Sequence, residues 1–286
     1  MSPQDDAPPP SLDALLPAEM ARRAEAVGQT KVALPMARLV PLSVLAGAFI
    51  ALGAMFSTVV TAGGGMPPGV SRLLAGLTFS LGLVLVVVAG AELFTGNNLV
   101  VMAAASRRVR LASLLRNWTV VYLGNFVGAL ATALLVFWSG QYRFGDGAIG
   151  VRVLDIAEAK TSLGIVEALV LGILANALVC LAVWLSFSAR TVTDKVLAVV
   201  FPVTAFVAAG FEHSIANMYF VPMGLFVKAW GADAFWAASG TSPGDYPSVD
   251  IREFLLGNLL PVTVGNAIGG AGLVGLAYWF VYLRKD

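Results

Sequence analysis

The sequence predicts an all-α integral membrane protein of six transmembrane helices, arranged as two inverted three-helix repeats with the second and fifth helices broken. Three observations carry that prediction. The 286 residues are 58% apolar and 12% charged, with a mean hydropathy of +0.83, about half the charge that covers a soluble domain. Six segments hold the roughly 20 mostly apolar residues that a bilayer-crossing helix needs. One polar phrase occurs twice, inside the two longest of those segments.

The segments fall at about 37–60, 73–104, 112–139, 162–188, 196–228 and 254–283. The first 35 residues open with Asp5, Asp6 and the run Pro8–Pro10, unlike the basic start and apolar stretch of a cleavable signal. Ser11 to Lys31 reads as an amphipathic helix, with Leu12, Leu15, Leu16 and Met20 near one face and Glu19, Arg22, Arg23 and Glu25 among the polar positions. Two readings of this helix remain open: a surface helix that only shields the cytoplasmic mouth, or a part of the machinery. The organisation is therefore 1–35 as a cytoplasmic N-terminal segment and 36–286 as one membrane domain, with repeats at about 36–140 and 161–284.

Orientation follows from the basic residues, which favour the cytoplasmic side. With both termini on one side, that side collects Arg22, Arg23, Lys31, Arg38, Arg107, Arg108, Arg110, Arg116, Arg190, Lys195, Arg284 and Lys285, twelve of the 18 Lys and Arg. Arg72, Arg143, Arg152, Lys160, Lys228 and Arg252 are left for the other face. Both termini are expected in the cytoplasm.

The repeat is specific. Ala89-Gly90-Ala91-Glu92 leads to Asn97, and Ala209-Gly210-Phe211-Glu212 leads to Asn217, each Asn five residues after its Glu. The next span then gives Asn117 followed by Gly124-Asn125-x-x-Gly128, against Asn258 followed by Gly265-Asn266-x-x-Gly269, with eight residues from Asn to Asn in both. A three-helix unit duplicated along one chain must sit upside down in its second copy. Inverted repeats with broken helices place a substrate path near the midplane between the halves, because irregular backbone survives at that depth only beside protein or a water-filled cavity.

Glu92 and Glu212 occupy the same slot of the repeat. That favours a scaffold role, a carboxylate accepting from the free N–H groups of a broken helix, over proton chemistry. Thr95, Asn97, Asn98, Ser214 and Asn217 are expected to cap the restarted half-helices, whose positive ends suit a small anion. His213, the only histidine, breaks the symmetry, since its counterpart is Leu93. Histidine exchanges a proton near neutrality, whereas a small carboxylate ionises like Asp, at a pKa of about 3.9. Sharing a proton with His213 would lower the cost of carrying an anion through a dry constriction. Phe79, Leu83, Leu93, Phe94, Val179 and Phe206 could form such constrictions, although each residue type is individually common in a core or against lipid.

The composition and motifs also exclude several classes. A net charge of +1 gives no footprint for nucleic acid. The single cysteine, Cys180, excludes a disulfide framework and a Cys-ligated metal site, and a lone histidine excludes a His-rich one. No phosphate loop with Lys, nucleophile elbow or metal helix is present. No enzyme and no cofactor are expected.

The segments AELFTGNN at 91–98 and AGFEHSIANMYFVPMG at 209–224 resemble the two signatures of the formate/nitrite transporter family. The likeness continues through RNWTVVYLGNFVGAL, LGILANALVCLAVW and PVTVGNAIGG, and the N-terminal LLPAEMARRAEAVGQTK is similar to the formate-channel branch. The first signature departs slightly where Gly-Asn-Asn follows the Thr. The resemblance implies a homopentamer in the bacterial inner membrane, each protomer with its own aquaporin-like pore. It implies bidirectional passage of formate and similar small monovalent anions, nitrite, acetate and hydrosulfide being the others in view. By position it implies that Thr95 and His213 form a central polar pair and that Glu212 and Asn266 support the histidine. It further makes Asn176 pore-lining and puts Lys160, within the weakly matching EAKTSL, at a periplasmic vestibule. A nitrite or hydrosulfide channel of the same fold and a proton–formate symporter stay open as alternatives.

Overall fold

Long apolar runs without charges leave the backbone no partner but itself, so helices form, and a computed structural model of the chain contains helices and no strand among the residues it describes, 14–284. Position Leu12 of the amphipathic segment lies outside those residues. The amphipathic helix α1 spans Pro17–Ala33 and buries Met20, Ala21, Ala24 and Gly28, while Leu16, at its N-cap, is exposed. It packs on Leu99, Met102, Cys180 and Trp184, so it is built into the bundle.

Helix α2 spans Met36–Val60 and α3 spans Pro68–Val84, the latter running on as a π-helical turn to Gly90. The chain then breaks at 91–93 and restarts as α4, Phe94–Asn97, which passes through a 3₁₀ turn into α5, Val101–Ala105. Helix α6 is Leu111–Trp138. A short amphipathic helix, α7 at Ala148–Thr161, then leads to α8 at Ile165–Ser188 and α9 at Val192–Ala208. After a second break α10 covers Ser214–Trp230, and a short α11 lies at Asp233–Ser239. The last span begins π-helical at Glu253, continues as α12, Leu260–Ala267, passes through a second π-helical stretch and ends as α13, Ala277–Tyr282.

Among the described residues, five helices are long and apolar enough to cross a membrane: Met36–Val60, Pro68–Gly90, Leu111–Trp138, Ile165–Ser188 and Glu253–Tyr282. The chain is thus a multi-pass membrane protein. The segment anticipated at 196–228 is absent from that set because its break divides it into two 17-residue helices, α9 and α10.

Packing pairs the elements in matching fashion. Helix α2 lies against α6 and α3, as α8 lies against α12 and α9, and α3 meets α9 across the halves. The close approaches rest on glycine. A β-carbon at Gly128 would strike the backbone carbonyl of Val44, and one at Gly269 that of Ile173, so a spacing of Gly-Asn-x-x-Gly brings each pair of spans to backbone contact.

Candidate functional site

Each break begins with a left-handed glycine, Gly90 at φ +88° and Gly210 at φ +78°, a conformation that costs other residues strain. Beyond it the two halves build the same cradle. Lys31 Nζ and Lys160 Nζ each donate to Oε1 of Glu92 and Glu212 at 2.7 Å. Asn97 Nδ2 donates to Glu92 Oε2 at 2.7 Å and Asn217 Nδ2 to Glu212 Oε2 at 2.6 Å. The same two amides donate to Asn117 and Asn258, which donate in turn to the backbone carbonyls of Lys31 and Lys160. The carboxylates are therefore held by side chains, one ammonium and one or two amides each, and not by the backbone N–H groups of the break.

Of those N–H groups, the ones of Glu92 and Glu212 donate to the backbone carbonyls of Leu42 and Leu171 at 3.1 and 3.3 Å, and one further N–H in each break goes to an asparagine of the neighbouring span. Phe94 N–H donates to Asn125 Oδ1 and Ser214 N–H to Asn266 Oδ1, each at 2.9 Å. Asn125 Nδ2 donates to the carbonyls of Ser43 and Glu92, and Asn266 Nδ2 to those of Gly172 and Glu212. Each asparagine thus stands in for a missing helical turn. The expected side-chain caps are corrected accordingly. Asn97 and Asn217 sit one turn too far in and bind the glutamates; Asn98 donates to Phe94 O; Ser214 Oγ has no partner among the described residues.

The actual cap is His213, whose Nδ1 accepts from Ala216 N–H at 3.1 Å. Because Nδ1 accepts, the neutral ring carries its hydrogen on Nε2, which lies 2.9 Å from Thr95 Oγ1. Thr95 and His213 are thus brought together from opposite halves, both buried. The ring stacks on Phe206 with centroids 5.9 Å apart.

Two vestibules flank this pair. One, of about 340 Å³, is lined by Arg72, Arg152, Asp155, Lys160 and Glu212 among others; the second, of about 490 Å³, includes Arg23, Lys31, Glu92, Asn97 and Lys195. In the first, burial pushes the Asp155 carboxyl up and nearby Arg152 draws it back. Between them lies a cavity of about 10 Å³, room for a single water. Phe79, Phe206 and His213 line both this cavity and the first vestibule. Leu83 and Leu93 line both it and the second vestibule. Val179 also faces the cavity. Phe94 does not; it packs edge-on against Trp118 and Tyr122.

Of the remaining candidates, Asn266 supports the break next to His213, and Asn176 is buried and lines neither vestibule nor the cavity between them, its amide donating to Asn98 Oδ1 at 2.8 Å and to Asn266 O at 2.6 Å. Sequence reasoning missed Lys31 as the partner of Glu92. The signal was available: Lys31 and Lys160 both stand five residues before a span, at Met36 and Ile165.

Fold and site together define a membrane-embedded protein with a narrow, buried, polar-centred passage between two similar halves. The family model for formate/nitrite transporters matches residues 18–280. The formate channel FocA of Escherichia coli K12 is 46% identical over 275 residues, covering 96% of each chain. A solved structure described as a pentameric formate channel with formate bound superimposes with a TM-score of 0.82 at 43% identity, covering 86% of this chain and 97% of that one. An FNT family ion channel gives 0.77 at 30% identity, covering 92% and 98%. The chain belongs to the formate/nitrite transporter family, in its formate-channel branch, and so stands among transporters and not enzymes.

Proposed function

We propose that the chain is a channel passing formate and related small monovalent anions across a bacterial inner membrane, and that His213 shares a proton with the permeating anion. The carrying observation is the sequence of vestibule, one-water cavity and vestibule, with His213 lining the central cavity and hydrogen-bonded to Thr95. An anion arriving from either side meets an ammonium, Lys160 or Lys31, held in place by its glutamate. It then passes Phe79 and Phe206 on one side and Leu83 and Leu93 on the other, with Val179 beside the centre. At the centre the Nε2 hydrogen of His213 turns from Thr95 to the anion, lowering the cost of a charge in an apolar constriction. A full positive charge on the ring would put a proton on Nδ1 and release the Ala216 cap. That favours a shared hydrogen bond over a long-lived imidazolium.

In this reading Glu212 and Asn266 hold the histidine's loop and Asn176 steadies Asn266 from behind. Residues 1–35 and both termini face the cytoplasm, 36–286 form the channel domain as two inverted repeats, and five protomers each carry a pore. The Lys31 bond supports counting α1 with the first repeat, as α7 counts with the second. The pentamer and formate itself are supported by the formate-bound structural relative.

The test is flux through purified protein in liposomes. Formate is expected to pass faster than nitrite or hydrosulfide; the reverse order assigns the chain a different anion. His213→Asn keeps an oxygen able to cap Ala216 but loses the titrating ring, so its formate flux should change its pH dependence sharply. An unchanged pH profile in that variant would end the proton-sharing role. Formate flux that requires a proton gradient would make the protein a symporter.

A further inference from the structure

The passage leaves unused a strongly basic cleft of about 840 Å³ between α1, the loop after α5 and the end of α13. Arg22, Arg107, Arg108 and Arg284 line it together with Trp279 and Tyr282. Among the described residues that charge is nearly unopposed. Glu25 is the one acid in the lining, and its Oε1 lies 3.9 Å from Arg108 Nε. Arg22, Arg107 and Arg284 make no ion pair among the described residues. Four cations converging on one cleft repel each other unless an anion sits among them.

The local backbone points the same way. Arg107 holds φ at +59°, a left-handed conformation that glycine adopts freely and residues with a β-carbon avoid. The turn is closed by the amides of Arg108 and Val109, which both donate to Ala103 O at 2.9 and 3.2 Å. Trp279 Nε1 donates to Ser106 Oγ at 3.1 Å and ties that turn to the last span. An arginine thus stands, at a cost in strain, where a glycine would serve the turn better.

The cleft also lies at a membrane boundary. Trp279 and Tyr282 close the apolar span Glu253–Tyr282, the position where amphipathic rings mark the headgroup level. Leu276, Phe280 and Val281 are exposed on the same helical end, and Arg284 lies over the Phe280 ring at 4.8 Å. A guanidinium fork takes two oxygens of a phosphate at once, and basic pockets beside spans suit anionic headgroups.

We propose that this cleft binds the phosphodiester headgroup of an anionic lipid, the arginines holding the phosphate oxygens and the aromatic end of α13 receiving the glycerol and upper acyl chain. The apolar wall beside the arginines favours a lipid over free phosphate.

The experiment compares the purified, delipidated full-length protein with a variant carrying Arg22→Gln, Arg107→Gly and Arg284→Gln. Each is titrated with phosphatidylglycerol, phosphatidylcholine and inorganic phosphate, and bound lipid is counted by native mass spectrometry. Phosphatidylglycerol should bind the wild type tighter than phosphatidylcholine and weaken about fivefold per arginine removed. The Arg107→Gly single variant should match or exceed wild-type thermal stability without lipid, which separates the charge from the turn. Equal affinity for the two lipids, or unchanged phosphatidylglycerol affinity in the triple variant, overturns the proposal. Displacement of phosphatidylglycerol by inorganic phosphate would make this a free-phosphate site, and loss of the oligomer in the variant would make it a contact between protomers; either result also overturns it.

Discussion

The two breaks share a cradle and differ at the residue that follows the glutamate. After Glu92 comes Leu93, which offers no cap, and the chain restarts as a four-residue helix that tightens into a 3₁₀ turn. After Glu212 comes His213, which caps Ala216, and the chain restarts as 17 residues of continuous helix. Most of what stabilises the break is duplicated: the ammonium–carboxylate pair, the two amides and the asparagine from the neighbouring span. What occurs once is the histidine, its contact with Thr95 and the link from Asn98 to Asn176. The duplicated groups are therefore scaffold, and the unpaired ones are where chemistry can differ between the halves.

Substitutions can break that division. Lys160→Met strands a buried carboxylate and should cost about 3–5 kcal/mol in thermal or denaturant unfolding. Lys31→Met should cost less, because the Lys31 side chain is 25% exposed against 14% for Lys160. Equal losses would show that the two cradles carry the same load despite their different burial. Next in size, Asn125→Leu and Asn266→Leu each orphan backbone groups at a break, at about 1–3 kcal/mol per group. Matched losses in the pair would confirm equivalent scaffolds, whereas a loss confined to Asn266 would tie that residue to the histidine instead.

A smaller effect is expected at the cap. His213→Ala should lose about 1 kcal/mol of stability and His213→Asn little, while Leu93→Ala tests a position with no cap to lose. The smallest effect lies in the vestibules. As pH falls, the Asp155 carboxyl, pushed up by burial, protonates before an ordinary aspartate and leaves Arg72, Arg152 and Lys160 less opposed. Anion uptake from that side at low salt should rise by less than about tenfold, and Asp155→Asn should flatten that rise. A pH response that persists in Asp155→Asn would assign it elsewhere.

Much of the scaffold was legible in the sequence because it was written twice. Glu92 with Asn97 and Glu212 with Asn217 marked both breaks, and the Gly-Asn-x-x-Gly spacing marked the spans that cover them. Lys31 escaped because an amphipathic helix before the first span reads as surface, and periodicity within it says nothing of a partner 61 residues away. Cap assignments failed for a related reason. Residue type identifies Asn and Ser as willing caps, but only the position of the break decides which residue stands at the first turn, and there it was His213. Asn176 could be placed on a span yet not on a face, since α8 is apolar around most of its circumference.

The 10 Å³ cavity has an electrical consequence. A space that holds one water cannot hold a continuous file of them, and protons hop readily only along such files. In the proposed reading, therefore, a proton that crosses the membrane here does so on the anion at His213 and not along a standing file of water, so that any drain on the proton gradient is tied, molecule for molecule, to the anion traffic.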